Sequence, residues 1–274
     1  MTVNYAEKYS SQVDERFAQG SLSTAFVNDN YDFLGVETVK VYQVNTSELN
    51  DYTTTGMQRF GTPEELGNVV QEMKLGQDKS FTFTIDSKSA EGTEGAMEAG
   101  QALNRQILEK IIPAVDKHRF AKIVAGAEAD HIGTGAITKT NAYASILDGI
   151  AKLQDEDVPL EGLVLGVTPT VYKFLKQDDS FIKNSDLGQT ITINGQVGAV
   201  DGVPVVLLPA KRLPENVEFI IAHNSVTPSP VKLSLYRVLD QVAGLDGSLV
   251  EGRIHYDAFV LDGKKKGIYV HKKA

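Results

Sequence analysis

Hydrophobic positions along the chain change their period several times, and each change predicts an element. Residues 1 to about 35 are mostly polar but carry spaced aromatics: Tyr5, Tyr9, Phe17, Phe26, Tyr31 and Phe33. Such a segment reads as an arm that orders by lying on something else; the alternative is a short capping helix around Val13–Ala18 on its own domain. From Thr38 to Val44 the β-branched, period-two texture predicts a strand. Its expected partner is the run from Phe81 to Asp86, which puts Phe81, Phe83 and Ile85 on one face. About 36 residues rich in Thr, Gly, Asn and Gln lie between, including Thr53-Thr54-Thr55-Gly56 and Thr62-Pro63-Glu64-Glu65. A connection of that length predicts a hairpin projecting as a functional loop, and an isolated two-stranded ribbon needs a supporting surface.

The strongest helical period runs from about Thr93 to Ala125, with Met97, Leu103, Ile107, Leu108, Ile111, Val115, Ile123 and Val124 on one stripe. Thr93 is the expected cap, Glu91 and Glu94 suit the positive end, and Gly126 is the expected stop. Pro113 crowds the carbonyl of Glu109 and predicts a kink or break. Beyond it, Asn141 or Thr140 opens a helix with Ile146, Leu147, Ile150 and Leu153 inward. Leu163–Val167 reads as a buried strand, and Thr168-Pro169 as the cap and first turn of a helix carrying Val171, Phe174 and Leu175. Thr190–Val200 reads as a hairpin turning at Asn194-Gly195. Strands are expected at Val203–Pro209, Val217–Ala222, Val231–Val238, Leu249–Leu261 and Gly267–His271. Helices and strands mix without regular alternation, which argues for an α+β fold.

Composition narrows the chemistry. Cysteine is absent, which excludes disulfides, thiolate metal sites and a thiol nucleophile. A net charge of −9 disfavours a broad surface gripping nucleic-acid phosphates. No stretch predicts a membrane-spanning helix, and the opening residues lack the basic-then-apolar layout of a signal peptide.

Candidate sites are few. Gly133-x-Gly135 stops short of a dinucleotide fingerprint because Thr138 stands where it needs a glycine. The histidines, His118, His131, His223, His255 and His271, are widely spaced. Asp130-His131 beside Glu128 is the nearest approach to a metal or acid–base cluster; a solvated helix end is the preferred reading. Arg253, His255 and Asp257 alternate along a strand, where a polar sheet face is preferred over a catalytic trio. Lys264, Lys265, Lys266, Lys272 and Lys273 read as a solvated turn and tail, with contact to an acidic neighbour or a packaged polyanion as the lesser alternative. No catalytic, cofactor-binding or metal-binding residue is assigned, and no enzyme activity is expected.

The order of elements is itself informative: arm, projecting hairpin, spine helix, compact α+β portion, late return to strands. With Gly202-Val203-Pro204-Val205-Val206, Leu163–Pro169 followed by Phe174-Leu175-Lys176, and Arg253-Ile254-His255-Tyr256-Asp257-Ala258-Phe259-Val260-Leu261, it resembles the major capsid proteins of tailed bacteriophages. The stretch Tyr31–Tyr42 resembles those of phages of Gram-positive hosts. The resemblance implies an N-terminal arm (1–35), an extended β-hairpin loop (36–90), a peripheral domain of spine helix plus antiparallel sheet (91–137 and 231–274) and an axial domain (138–230). It implies a structural protein that forms hexamers and pentamers of an icosahedral virion shell around double-stranded DNA, bound without sequence specificity and without a membrane. Assembly in the host cytoplasm, a portal protein and, since no long charged helical segment precedes the arm, a separate scaffolding protein are further implications. The alternatives are an encapsulin-like nanocompartment shell and a small α+β enzyme using Asp130, His131, Asp257 or His255.

Overall fold

The computed structural model describes residues 20–31, 38–63, 65–88, 98–177, 196–240 and 242–273. Thr93, Glu91, Glu94, Met97, the Val13–Ala18 segment and the Asn194-Gly195 turn lie outside them.

Helical period and proline together explain the spine. Helix α1 (Ala99–Gln106) runs through one π-type turn, Ile107–Ile111, into α2 (Ile112–Gly126). Pro113 has no N–H to offer the preceding turn, and the Ile112 N–H reaches back five residues to the Ile107 carbonyl. The irregularity expected at Pro113 is therefore a widened turn on its N-terminal side, and the rod continues. At 1.5 Å per residue it spans roughly 42 Å. Gly126 is its last helical residue, not a left-handed cap; a Cβ there would lie 2.5 Å from Val260 Cγ2, so the glycine permits close packing.

The spine ends against a six-stranded mixed sheet ordered β4 (Ile132–Thr134), β11 (Ile268–Lys272), β8 (Val217–His223), β5 (Leu163–Val167), β7 (Val203–Leu207), β6 (Gln196–Val200). Apolar residues in its central strands are nearly continuous, as expected of strands covered on both faces. Leu163, Leu165, Val167, Phe219 and Ile221 pack with Ile146, Ile150 and Leu153 of α3 (Ala142–Asp155) and Val171 and Leu175 of α4 (Pro169–Leu175). Val164, Val206, Ile220, Ala222 and Val270 face the other way, onto Phe120, Ile123 and Val124 of α2. Strands β4 and β11 come from the stretches 91–137 and 231–274, so this sheet draws on both segment sets that the resemblance assigns to different domains.

Of the two caps expected here, one forms as read and one differs. Thr168 accepts from Val171 N and caps α4 as expected. Asn141 occupies the cap position of α3, but its Oδ1 accepts from Thr138 N at 2.6 Å instead of from the helix. Strand β6 pairs with β7 through Asp201-Gly202, both left-handed at φ 48° and 82°, which suits a type I′ turn.

A second sheet, three antiparallel strands, has β10 (Gly247–Tyr256) between β3 (Gln77–Asp86) and β9 (Val231–Asp240). The strand expected to reach Leu261 stops at Tyr256, where the register shifts. Residues 257–261 stay extended beside 226–230, with Phe259 N donating to the Pro228 carbonyl and Leu261 N to that of Val226.

Segment 20–31, read from sequence as part of an arm, lies on its own chain. Phe26 is fully buried and meets Phe120 edge-to-face at 5.5 Å. Below it Asp116, also fully buried, accepts from Ser21 Oγ (2.7 Å), Ser23 Oγ (2.6 Å), Leu22 N (3.0 Å) and Arg212 Nη1 (2.6 Å). A buried carboxylate needs this many donors to offset its desolvation.

Candidate functional site: an apolar hairpin and its anchors

Strand β1 (Thr38–Val44) pairs antiparallel with β2 (Asn68–Lys74), Thr38 opposite Lys74 and Val44 opposite Asn68. The expected partner, Phe81–Asp86, belongs instead to β3 and pairs with β10. Phe81 and Phe83 do share a face, their rings 6.1 Å apart. β2 escaped the sequence reading because Asn68, Gln71, Glu72 and Lys74 give it a polar texture inside a polar connection. Its signal was the charge opposite it: Lys40 and Glu72 pair at 2.8 Å.

The ribbon and its tip display apolar side chains to solvent. Leu49 is 100% exposed, Met57 96% and Phe60 84%; Tyr42, Val44, Tyr52, Leu66 and Val69 are all more than half exposed. Apolar groups in such number on a two-stranded ribbon and its connection gain free energy only when covered, at about 25 cal/mol per Å². Tyr52 and Phe60 pack edge-to-face at 5.1 Å and give the tip some shape of its own.

The ribbon's base is fastened. Met73 and Leu75 are buried with Leu261, against Tyr31, Val39, Val41 and Phe259. Gln71 Nε2 donates to the Val260 carbonyl (2.8 Å), and its Oε1 accepts from Asp262 N (3.0 Å). Asp257 is the main clamp. Its Oδ2 accepts from Gly76 N (2.8 Å), where β2 turns into β3, while Oδ1 meets His118 Nε2 (2.7 Å) on the spine and accepts from Ala258 N (2.8 Å). One buried carboxylate thus joins ribbon, spine and sheet end.

The sequence candidates are not brought together for catalysis. Arg253 forms a two-pronged bond with Asp78 on β3, which holds the Asp78 carboxyl below its ordinary range. His255 lies opposite Asp78 in register, whereas Asp257 has left the strand and turned inward to His118. Beside that pair, Ser229 Oγ donates to the Asp257 carbonyl and accepts from Arg119, so it is not activated by His118. His223 closes a short turn, accepting from Ser225 N, and His271 stacks on Phe219 at 4.9 Å. Gly133 sits where a Cβ would meet Tyr269 Oη at 2.3 Å, a packing role with no bearing on phosphate.

The solvated reading of the helix end holds for Asp130, whose side chain is 61% exposed, and fails for His131, which is fully buried. Of the lysine run, Lys265 pairs with Asp262 and Lys266 with Glu156, whose carboxyl is drawn below its usual range by that contact.

The fold defined by this geometry is that of phage capsid subunits. The structure of the cyanophage P-SCSP1u capsid superposes with a TM-score of 0.74 at 12% identity, over 98% of this chain and 93% of that one. The mature capsid of bacteriophage PhiM1 gives 0.73 at 13% identity, over 99% and 92%. A structure from Mycobacterium phage Che8 gives 0.69 at 16% identity, over 99% and 98%. No family model matches the sequence, and no curated protein does.

Proposed function

We propose that the chain is the major capsid protein of a tailed bacteriophage, a structural subunit that assembles in hexamers and pentamers into an icosahedral shell around double-stranded DNA. One observation carries the reading: the fold agrees with phage capsid structures over almost the whole length of both chains. The ribbon supports it, because its Leu49, Met57 and Phe60 are left exposed and need a surface that the described residues do not supply. Segment 36–90 is the intersubunit loop in this reading, 91–137 with 231–274 the peripheral domain, 138–230 the axial domain and 1–35 the arm. Within that arm, residues 20–31 are fastened to the chain itself. A separate scaffolding protein and a portal protein are the proposed partners, with assembly in the host cytoplasm. DNA is enclosed without sequence-specific grip, consistent with the net charge of −9.

The test is expression with and without a candidate scaffold, imaged by negative-stain microscopy beside the triple variant Leu49→Ser, Met57→Ser, Phe60→Ser. Closed shells from the native chain and folded, unassembled subunits from the variant are expected. A native chain that stays monomeric with every scaffold refutes the reading. Shells filled with cargo protein instead of DNA in the infected host would point to a nanocompartment.

A further inference from the structure

We infer that Glu128, Asp130 and His131 form a divalent transition-metal site where the spine meets the six-stranded sheet. The three residues follow helix α2 directly, and a short turn closed by His131 N donating to the Glu128 carbonyl (3.0 Å) folds them onto one another. One ligand atom from each lies within 4.8 Å of the others.

The histidine supplies the independent observation. Its side chain is fully buried, and Nδ1 lies 3.1 Å from the Ile268 carbonyl. A carbonyl only accepts, so Nδ1 carries the proton and Nε2 of the neutral ring keeps a lone pair. Nε2 is buried and has no hydrogen-bond partner. Its neighbour is Asp130 Oδ2 at 4.0 Å, too far for a hydrogen bond. An ion about 2.1 Å from each ligand sets them roughly 3 to 4 Å apart, so the more exposed carboxylates need to swing inward by about an ångström. The backbone carbonyl on Nδ1 is the usual outer-shell partner that orients a ligating imidazole.

One imidazole and two carboxylates suit Zn²⁺, Mn²⁺ or Co²⁺ better than Mg²⁺ or Ca²⁺, which take oxygen ligands. The site already draws a cation, since Lys152 Nζ stands 3.3 Å from Asp130 Oδ2. Lys266 and the Glu156 carboxylate it pairs with also lie close by. A divalent ion would displace the Lys152 ammonium.

The test uses the untagged full chain, stripped with EDTA and titrated with Co²⁺ and Zn²⁺ by calorimetry and by Co²⁺ absorption. Saturable one-to-one binding is expected, with a rise in Tm of roughly 5 °C at a hundredfold excess over Kd. Glu128→Gln with Asp130→Asn alters only partly exposed side chains and should weaken binding at least tenfold without lowering the metal-free Tm. Lys152→Met should tighten it several-fold. His131→Gln should abolish the Co²⁺ nitrogen-ligand absorption. Absence of binding at 1 mM Co²⁺, or binding unchanged in the double variant, overturns the site, whatever the outcome of the shell assays.

Discussion

Removing the charge of Asp116 should release segment 20–31 and cost more than any surface change. Asp116 is fully buried and takes four hydrogen bonds, from Ser21, Leu22, Ser23 and Arg212. Arg212 is 4% exposed and also donates to the Gly20 carbonyl at 2.8 Å. Deleting one member of a buried ion pair leaves the other charge in a poor solvent, a loss of about 3–5 kcal/mol. The bonds from Ser21, Ser23 and Leu22 add to this less than their separate values, about 1.5–3 kcal/mol each to a charged group, since all share one carboxylate. Asp116→Ala is therefore expected to cost about 4 kcal/mol, and Asp116→Asn, which keeps shape and one acceptor, about 3 kcal/mol. Urea unfolding of unassembled subunits measures both. A double-mutant cycle with Arg212→Met should return a coupling of about 2 kcal/mol, because the double variant removes both charges of the Asp116–Arg212 pair and leaves only the more distant Arg119 without its acid. Limited proteolysis should cut near residues 20–31 sooner in the single variants. A loss under about 1 kcal/mol for Asp116→Ala, or strict additivity with Arg212→Met, would show that this network does not hold the segment.

Three further outcomes follow from the geometry. Gly247→Ala places a Cβ 2.0 Å from the Ile85 carbonyl oxygen at φ 152°, so the end of the β3–β10 pairing should open, at about 3 kcal/mol by urea unfolding. Asp257→Ala removes acceptors for Gly76 N and Ala258 N and the partner of His118; hydrogen exchange should quicken at Gly76 and through β2, whereas unchanged protection there would remove the clamp role. Arg253 holds the Asp78 carboxyl below its unfolded value, so the pair adds stability above about pH 3.9 that is lost as pH falls through the lower folded value. Arg253→Gln should return the Asp78 titration, followed by NMR, toward the ordinary range, with little effect on overall stability because both groups are exposed.

Legibility from the sequence follows a physical line. The spine, the buried strand Leu163–Val167 and the Thr168-Pro169 cap were readable because period, proline and capping chemistry are properties of neighbouring residues. The partner of Thr38–Val44 was not, since pairing is settled by residues about thirty positions away and β2 carries too little apolar pattern to announce itself. The polar sheet face read from Arg253, His255 and Asp257 holds for the first two and fails at Asp257 for the same reason. Alternation assumes an unbroken strand, and the register shift after His255 sends Asp257 inward to the spine. His131 looked solvated beside two acids; only the approach of β11 buries it and gives Nδ1 the Ile268 carbonyl.

By itself, then, the sequence determined which stretches prefer helix or strand, the absence of thiol chemistry and the acidic balance. Tertiary structure decided which strands meet, which carboxylates are buried, and which apolar side chains are left uncovered on the ribbon. Those outcomes depend on how the desolvation of one segment is offset by groups far away in the chain, and no local pattern encodes that.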